Sequence, residues 1–173
     1  MKPALVAIVA ALVAAPAARA DVKLRVGAEA VLAQHDKNVG WKGLTDRFLP
    51  SVNVMLGWMP FSDFLSLDAE LSEQFITNPA AGEDSRKGTT LRLGVTVSPP
   101  LLPVYARAAI PLHLEPSPFQ SYFRLGGGLA FNFVATTVYA ELDADFPLAG
   151  SSGAPDPFSQ QVFSAGAGLQ FKF

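Results

Sequence analysis

Ionisable side chains recur at every second position in several segments of this sequence. Lys23, Arg25 and Glu29 alternate with apolar side chains, and the stretch AELDADF later in the chain has acidic side chains at the same spacing. Acids and bases at this spacing share one face of a β-strand, where they can pair with opposite charges on neighbouring strands. The chemistry that this pattern predicts is a network of ion pairs.

The predicted network contains equal numbers of cations and anions. All of its members lie on the polar face of a segment that alternates with period two. Glycines at the same positions predict a crowded face, because glycine weakens a strand unless neighbouring groups need the space. The predicted members are Lys23, Arg25, Arg92, Arg107, Arg124 and Lys172, with Glu29, Asp68, Glu70, Glu141, Asp143 and Asp145.

Other residues that could carry chemistry form weaker patterns. The chain has two histidines, His35 and His113, and Ser117 follows the second by four residues. A catalytic triad cannot be identified from such spacing alone. The carboxylates of DAD lack a metal-binding loop, GGG lacks a phosphate-loop context, and there is no cysteine. We therefore expect no catalytic residue, no cofactor, no metal site and no enzymatic activity.

The elements that carry the charges are eight segments of alternating polarity. Each has the length and period of a β-strand, and no segment after the first 20 residues has 18 or more consecutive apolar residues. The segments are residues 22–35, 49–60, 64–75, 90–98, 104–113, 121–131, 136–146 and 162–173.

The connections between these segments alternate in length. MPFSD, SPPLLP and NFVA are short, whereas the polar connections between them are mostly longer. Short turns on one side and long loops on the other are typical of a transmembrane barrel, with the loops outside the cell. The pattern predicts an all-β fold, an eight-stranded antiparallel up-and-down transmembrane β-barrel.

Alternation does not reveal which face points inward, because a soluble lipocalin-like barrel has the same period in the opposite sense. In lipid, each Lys or Arg near the midplane would cost about 2 to 4 kcal/mol. Several such residues would exceed the stability of a typical fold, which is roughly 5 to 15 kcal/mol. The charges of a membrane barrel must therefore face a shared interior.

Aromatic residues predict two belts at the ends of the barrel, as in transmembrane barrels generally. Alanine, leucine and valine occupy the middles of the segments. The belt at the short turns contains Trp58, Phe61, Phe64, Tyr105, Phe131, Phe133, Phe171 and Phe173. The belt at the long loops contains Phe48, Phe75, Phe119, Phe123, Phe146, Phe158 and Phe163.

The first 20 residues have the features of a secretory signal peptide: a basic start, a short apolar stretch and the small-residue motif ARA. We expect residues 1–20 to be cleaved and residues 21–173 to form the barrel, located in the bacterial outer membrane. With 13 basic and 15 acidic residues, the chain has no charge pattern for nucleic acid.

The last strand ends on an aromatic residue, with apolar residues at alternate preceding positions. This ending resembles the terminal-strand signature of Gram-negative outer-membrane barrels, and the whole mature chain resembles the small eight-stranded barrels of the OmpA/OmpX type. The resemblance implies that the barrel-assembly machinery reads this signal. It consists of Phe163, Leu169, Phe171 and Phe173, with Ala165 and Ala167 between them.

The sequence predicts a structural or surface-interaction role in the cell envelope, with a lumen narrowed by ion pairs. The expected partners are outer-membrane lipids, the assembly machinery and an extracellular partner at the loops, and we expect a monomer. Three alternatives stay open: a narrow porin-like channel, a lipid-modifying enzyme at the outer leaflet, and a soluble lipocalin-like binder.

Overall fold

A computed structural model describes residues 21–43, 50–60, 63–76, 86–115, 122–134, 136–147 and 160–173. The signal peptide predicted for residues 1–20 lies outside these ranges and stays a prediction. The described elements are all strands: β1 (Asp21–Asp36), β2 (Gly40–Gly43), β3 (Pro50–Met59), β4 (Leu65–Phe75), β5 (Arg86–Val97), β6 (Val104–Glu115), β7 (Tyr122–Phe133), β8 (Thr136–Pro147) and β9 (Gln160–Lys172).

Eight of these strands form a closed antiparallel barrel, which confirms the predicted fold class. From β3 to β9 each strand pairs with the next one in the chain, and β1 pairs with both β3 and β9. The closing strands also exchange two backbone hydrogen bonds between Val22 and Phe173, of 2.9 and 3.2 Å. Closure leaves the barrel wall without an unpaired edge strand.

The barrel closes with a large stagger. Register partners on successive strands, followed once around the wall from Lys23, lead back to β1 at Gln34. This is a stagger of about ten residues once the bulge near Leu32 is discounted. Such a stagger requires strongly tilted strands, so residues far apart in sequence reach the same level of the interior. The path passes through Gly57, Asp68, Gly94, Ala109, Arg124, Asp145 and Val162.

The short strand β2 differs from the sequence prediction, which assigned its residues to a polar loop. It pairs with the end of β1, from Ala33↔Gly43 to Asp36↔Gly40. The turn between them is stabilised by the Asp36 carboxylate, which accepts a hydrogen bond from the Asn38 N–H at 2.8 Å. Gly40 has a φ of 86°, a conformation that glycine adopts without strain. Four residues without alternating polarity gave no strand signal.

Both ends of the barrel chain lie beside the short turns, since Asp21 pairs with Met59 and Phe173 is hydrogen-bonded to Val22. Ser98, after β5, donates its backbone N–H to the carbonyl oxygen of Phe64 at 2.8 Å, which joins two adjacent connections. Leu101, in the β5–β6 turn, has a φ of 73° although it is not glycine.

In the described ranges no helix is long and apolar enough to cross a membrane, a result that does not bear on crossing by strands.

The two faces of the wall differ in polarity. On β7, Arg124 is 2% exposed, whereas the next residue, Leu125, is 46% exposed. The same alternation recurs on the other barrel strands, so ionic side chains fill the interior and apolar side chains cover the outside. This is the orientation that the cost of charge in lipid predicts for a membrane barrel.

The aromatic residues predicted near the short turns are mostly on the outer surface, with one exception. Trp58, Phe64, Phe131, Phe133 and Phe173 are exposed. The prediction for Tyr105 is wrong, because this side chain is buried and shares the inward face of β6 with Arg107. Four of the predicted belt residues, Phe48, Phe61, Phe119 and Phe158, lie outside the described residues.

Candidate functional site

The candidate site is the interior of the barrel, where buried cations and carboxylates from different strands meet. Arg124 on β7 contacts three carboxylates: Asp145 at 2.6 Å, Glu29 at 2.9 Å and Asp143 at 3.6 Å. Asp145 is its neighbour across the β7–β8 ladder, whereas Glu29 lies on β1. Tilting of the strands brings these side chains together across the lumen.

Arg92 on β5 connects this group to the middle of the barrel. Its guanidinium donates to Glu29 at 3.0 Å and also contacts Glu70, its cross-strand neighbour on β4. Because Glu29 accepts from both Arg92 and Arg124, its two oxygens link strands on different sides of the interior. Shared carboxylates of this kind distribute hydrogen bonds over several donors and rigidify a buried network.

Arg107 and Arg25 extend the network. Arg107 pairs with Glu70, with Glu141 at 3.3 Å and with Asp68 at 4.0 Å. Arg25 approaches Glu141 at 3.4 Å and donates to the Gln170 side chain at 2.7 Å. A chain of ionic contacts therefore crosses the lumen.

Two tyrosines hold the guanidinium of Arg25. Its carbon lies 4.4 Å from the ring centroid of Tyr105 and 4.7 Å from that of Tyr139, within cation–π range. The sequence prediction left both residues out of the network, and it assigned Tyr105 to a belt. The signal that could have identified them is their position, because both alternate with apolar residues in the same way as the charges.

A smaller group around Asp68 occupies the end of the lumen near the short turns. Lys23 lies 3.3 Å from this carboxylate, and Ser66 donates a hydrogen bond to it at 2.8 Å. Thr96 donates to the second carboxylate oxygen. Gly57 gives the Lys23 side chain its space, since a Cβ at this glycine would overlap the lysine methylenes.

Lys172 does not join the buried network, although the sequence prediction included it. It lies at the rim near the short turns and pairs with Asp63 at 2.6 Å, and both side chains are exposed to solvent. The strand ends at this residue, so its side chain reaches past the lumen into the turn region. Among the described residues, the predicted interior therefore keeps five cations and six carboxylates rather than six of each.

The interior is crowded where the described residues line it. At Gly128 a Cβ would overlap the carbonyl oxygen of Ala140 and the ring of Tyr105. A small cavity of ≈ 10 Å³ lies beside Arg25, Glu141 and Asp143. This volume is enough for about one water molecule.

The histidines considered for catalysis do not meet in the described part of the chain. His35 lies on the outer side of the β1 end, with its ring 4.9 Å from that of Trp41. The side chain of His113, on β6, and residue Ser117 lie outside what the structure describes. Among the described residues there is also no group of three His, Cys, Asp or Glu side chains arranged to hold a metal ion.

The residues of the predicted assembly signal share the outer face of β9. Leu169 and Phe173 are exposed, and Phe163 contacts the ring of Trp41 at 5.4 Å. Phe171 is half-buried on the same face. Recognition of this strand by an assembly factor stays a prediction.

Comparison with known proteins gives a match by structure and none by sequence. No family model matches, and no curated protein matches. The crystal structure of Neisserial surface protein A (NspA) superposes with a TM-score of 0.56 at 13% identity, covering 88% of this chain and 97% of NspA. Ail, the attachment invasion locus protein of Yersinia pestis, in complex with the heparin analogue sucrose octasulfate, has a TM-score of 0.48 at 11% identity, covering 89% of this chain and 99% of Ail. The chain therefore has the closed eight-stranded antiparallel fold of small outer-membrane β-barrels such as NspA.

Proposed function

We propose that this chain is an integral barrel of a Gram-negative outer membrane with a structural or surface-interaction role. The proposal is supported by the separation of polarity across the wall. Apolar side chains such as Leu125 and Leu142 face outward, while Arg124 and Asp143 are buried inside. A hydrocarbon layer favours this outer surface, because charged side chains such as Arg124 and Asp143 are then kept out of lipid.

The observation that carries the structural role is the crowded lumen inside the described strands. Ionic contacts run from Arg124 through Glu29, Arg92, Glu70 and Arg107 across the interior. A cavity of ≈ 10 Å³ beside this network has room for about one water molecule, which is too small for a hydrated ion. Function then depends on the outer wall and on the loops, where binding residues of a rigid scaffold commonly lie.

The partners that follow from this proposal are outer-membrane lipids, the barrel-assembly machinery and an extracellular partner at the loops, with the protein acting as a monomer. A lipocalin-like binder is less well supported, because such a carrier needs an apolar interior cavity. We propose no catalytic activity, since His35 lies on the outer face beside the ring of Trp41, away from the ionic groups of the lumen.

Conductance separates the structural role from a narrow channel. Purified protein reconstituted into a planar bilayer should give no steady current above that of the empty membrane. An Arg124→Ala variant, which removes a cation that contacts three carboxylates, should open a path and raise the conductance. Steady, ion-selective channels from the wild-type protein would contradict the structural role and favour the porin-like alternative.

Location is tested by fractionation. We expect the protein in the detergent-resistant outer-membrane fraction, with migration on a gel that changes on heating, because a closed barrel resists unfolding by detergent until heated. Recovery as a soluble periplasmic protein would contradict the proposal and would favour a water-soluble carrier.

A further inference from the structure

A glycine separates a cation from a carboxylate on the inner wall of the barrel. Across the sheet, Arg107 on β6 pairs with Gly126 on β7, and Gly126 pairs in turn with Asp143 on β8. Neighbouring strands lie about 4.8 Å apart, so the backbones of Arg107 and Asp143 are separated by about 10 Å. Gly126 has no side chain to occupy the interior between them. The inner wall therefore has a gap that is flanked by opposite charges.

The side chains on the two sides of this gap are buried and only partly hydrogen-bonded. Arg107 is 4% exposed and Asp143 is 5% exposed. Within the described part of the chain, Nη2 of Arg107 and Oδ1 of Asp143 have no hydrogen-bond partner. A buried polar atom in this position has lost its contacts with bulk water without a replacement, so each of the two atoms requires an explanation.

The unpaired oxygen of Asp143 lies over the glycine. A Cβ at Gly126 would overlap Asp143 Oδ1, so this oxygen extends from β8 toward the strand that lies next to Arg107. The other oxygen, Oδ2, contacts Arg124 at 3.6 Å. Arg107 uses its Nη1 atom to pair with Glu70 and Glu141. A free donor and a free acceptor are therefore present on the two sides of the same glycine.

The cavity of ≈ 10 Å³ is lined by both of these residues, together with Tyr139 and Glu141. A buried site of this volume holds about one water molecule, which usually makes about three hydrogen bonds. Water suits the two free atoms because it can accept from a guanidinium N–H and donate to a carboxylate at the same time. A cation would be repelled by Arg107, and an anion would be repelled by Asp143.

We propose that the interior binds one ordered water molecule beside Gly126, which accepts a hydrogen bond from Arg107 Nη2 and donates one to Asp143 Oδ1. This water connects the ionic contacts of Arg107 with those of Arg124, because Asp143 contacts the second arginine directly. Glycine at position 126 makes room for it. Occupancy of the site does not depend on the role or location of the protein, because all of the groups that form it lie inside the barrel.

A crystal structure of the detergent-solubilised protein, at a resolution that shows ordered waters, provides the direct test. We expect a density peak within about 3.2 Å of both Arg107 Nη2 and Asp143 Oδ1. Direct contact between the two side chains would overturn the proposal. The absence of a peak at this position, in a map that shows other buried waters, would overturn it as well.

A pair of glycine variants tests the same site in solution. Gly126→Ala places a methyl group in the gap, whereas Gly127→Ala, the matched control, places one on the outer face of the same strand. Oxygen-17 relaxation dispersion counts the long-lived internal waters of each protein, and heat-dependent gel migration verifies folding. We expect Gly126→Ala to have one long-lived water fewer than the wild-type protein and Gly127→Ala to have the same number.

An unchanged number of long-lived waters in folded Gly126→Ala would contradict the proposed site. Asp143→Leu is the second variant, because it removes the acceptor while keeping a side chain of similar length. It should lose the same single water. If neither variant folds, the density between Arg107 and Asp143 in the wild-type crystal decides the question.

Discussion

At the residue scale, the stability of the interior depends on buried charges that compensate one another. Arg124 is buried, and the three carboxylates around it, Glu29, Asp143 and Asp145, come from two strands. Desolvation makes a buried ion pair a poor source of net stability. Loss of one partner is nevertheless costly, because the remaining charge stays buried without compensation.

Arg124→Met should therefore lower the free energy of unfolding by about 3 to 5 kcal/mol. Lys172→Met is the matched control: it removes a cation from the exposed pair with Asp63 and should cost at most about 1 kcal/mol. Urea unfolding of protein folded into vesicles, followed by tryptophan fluorescence, measures both. If both variants lose similar amounts of unfolding free energy, the buried network contributes no more to stability than the exposed ion pair does.

The close contacts around glycines in the barrel wall give a second prediction at the residue scale. A Cβ at Gly128 would overlap the backbone oxygen of Ala140 and come within 2.8 Å of the Tyr105 ring. Gly128→Ala should therefore destabilise the barrel by about 1 to 3 kcal/mol, as overpacking does elsewhere. Gly127→Ala, whose Cβ would face outward with its nearest contact at 3.2 Å, should cost less in the same urea experiment. An equal cost would argue against a crowded lumen.

At the element scale, two connections contain a residue with a positive φ, but only one of them places glycine there. The β1–β2 turn uses glycine where φ is positive, whereas the β5–β6 turn has Leu101 at a φ of 73°. A left-handed conformation costs a non-glycine residue roughly 1 to 2 kcal/mol. The side chain of Leu101 is fully exposed, so it recovers little of this energy by packing within the protein.

Leu101→Gly should accordingly raise the free energy of unfolding by up to about 1 kcal/mol, part of the relieved strain being offset by the greater freedom of glycine in the unfolded chain. Leu102→Gly, at the next position, relieves no positive φ and should be destabilising. The midpoint of thermal unfolding in detergent compares the two. A loss of stability in both variants would contradict the predicted strain.

At the scale of the whole molecule, closure between β1 and β9 turns a series of hairpins into a barrel. Phe173 takes part through two backbone hydrogen bonds with Val22, while its side chain is 76% exposed on the outer surface. The side chain thus contributes little to packing inside the protein. We expect an assembly factor to recognise this exposed side chain, as the resemblance to outer-membrane barrels implies.

Phe173→Ser should refold in detergent almost as well as the wild-type protein, because its backbone bonds remain. In cells the same variant should show a reduced amount of assembled barrel, measured by heat-dependent migration in isolated outer membranes. Phe133→Ser is the control, since Phe133 is also exposed and near the short turns but is not terminal. Equal assembly of both variants would argue against a terminal recognition signal.

The eight barrel strands and the inward orientation of the charges could be predicted because both follow from local rules. Successive side chains of a strand point to opposite faces, so Lys23, Arg25 and Glu29 must share one face whatever the rest of the chain does. The cost of charge in lipid then selects the interior for that face. Eight segments with alternating short and long connections indicated a barrel.

The partners inside the barrel required the tertiary structure. Arg124 meets Glu29, 95 residues away, because the barrel closes with a stagger that no single strand encodes. The pairing of Lys172 with Asp63 at the rim also required the tertiary structure. The height of Lys172 along the barrel axis depends on where the neighbouring strands end. The β1–β2 hairpin was not predicted from the sequence. It is formed by a turn that the Asp36 side chain stabilises and by Gly40 with a positive φ, and neither of these produces alternating polarity. Alternation is a property of each strand, whereas register and level are properties of the closed sheet.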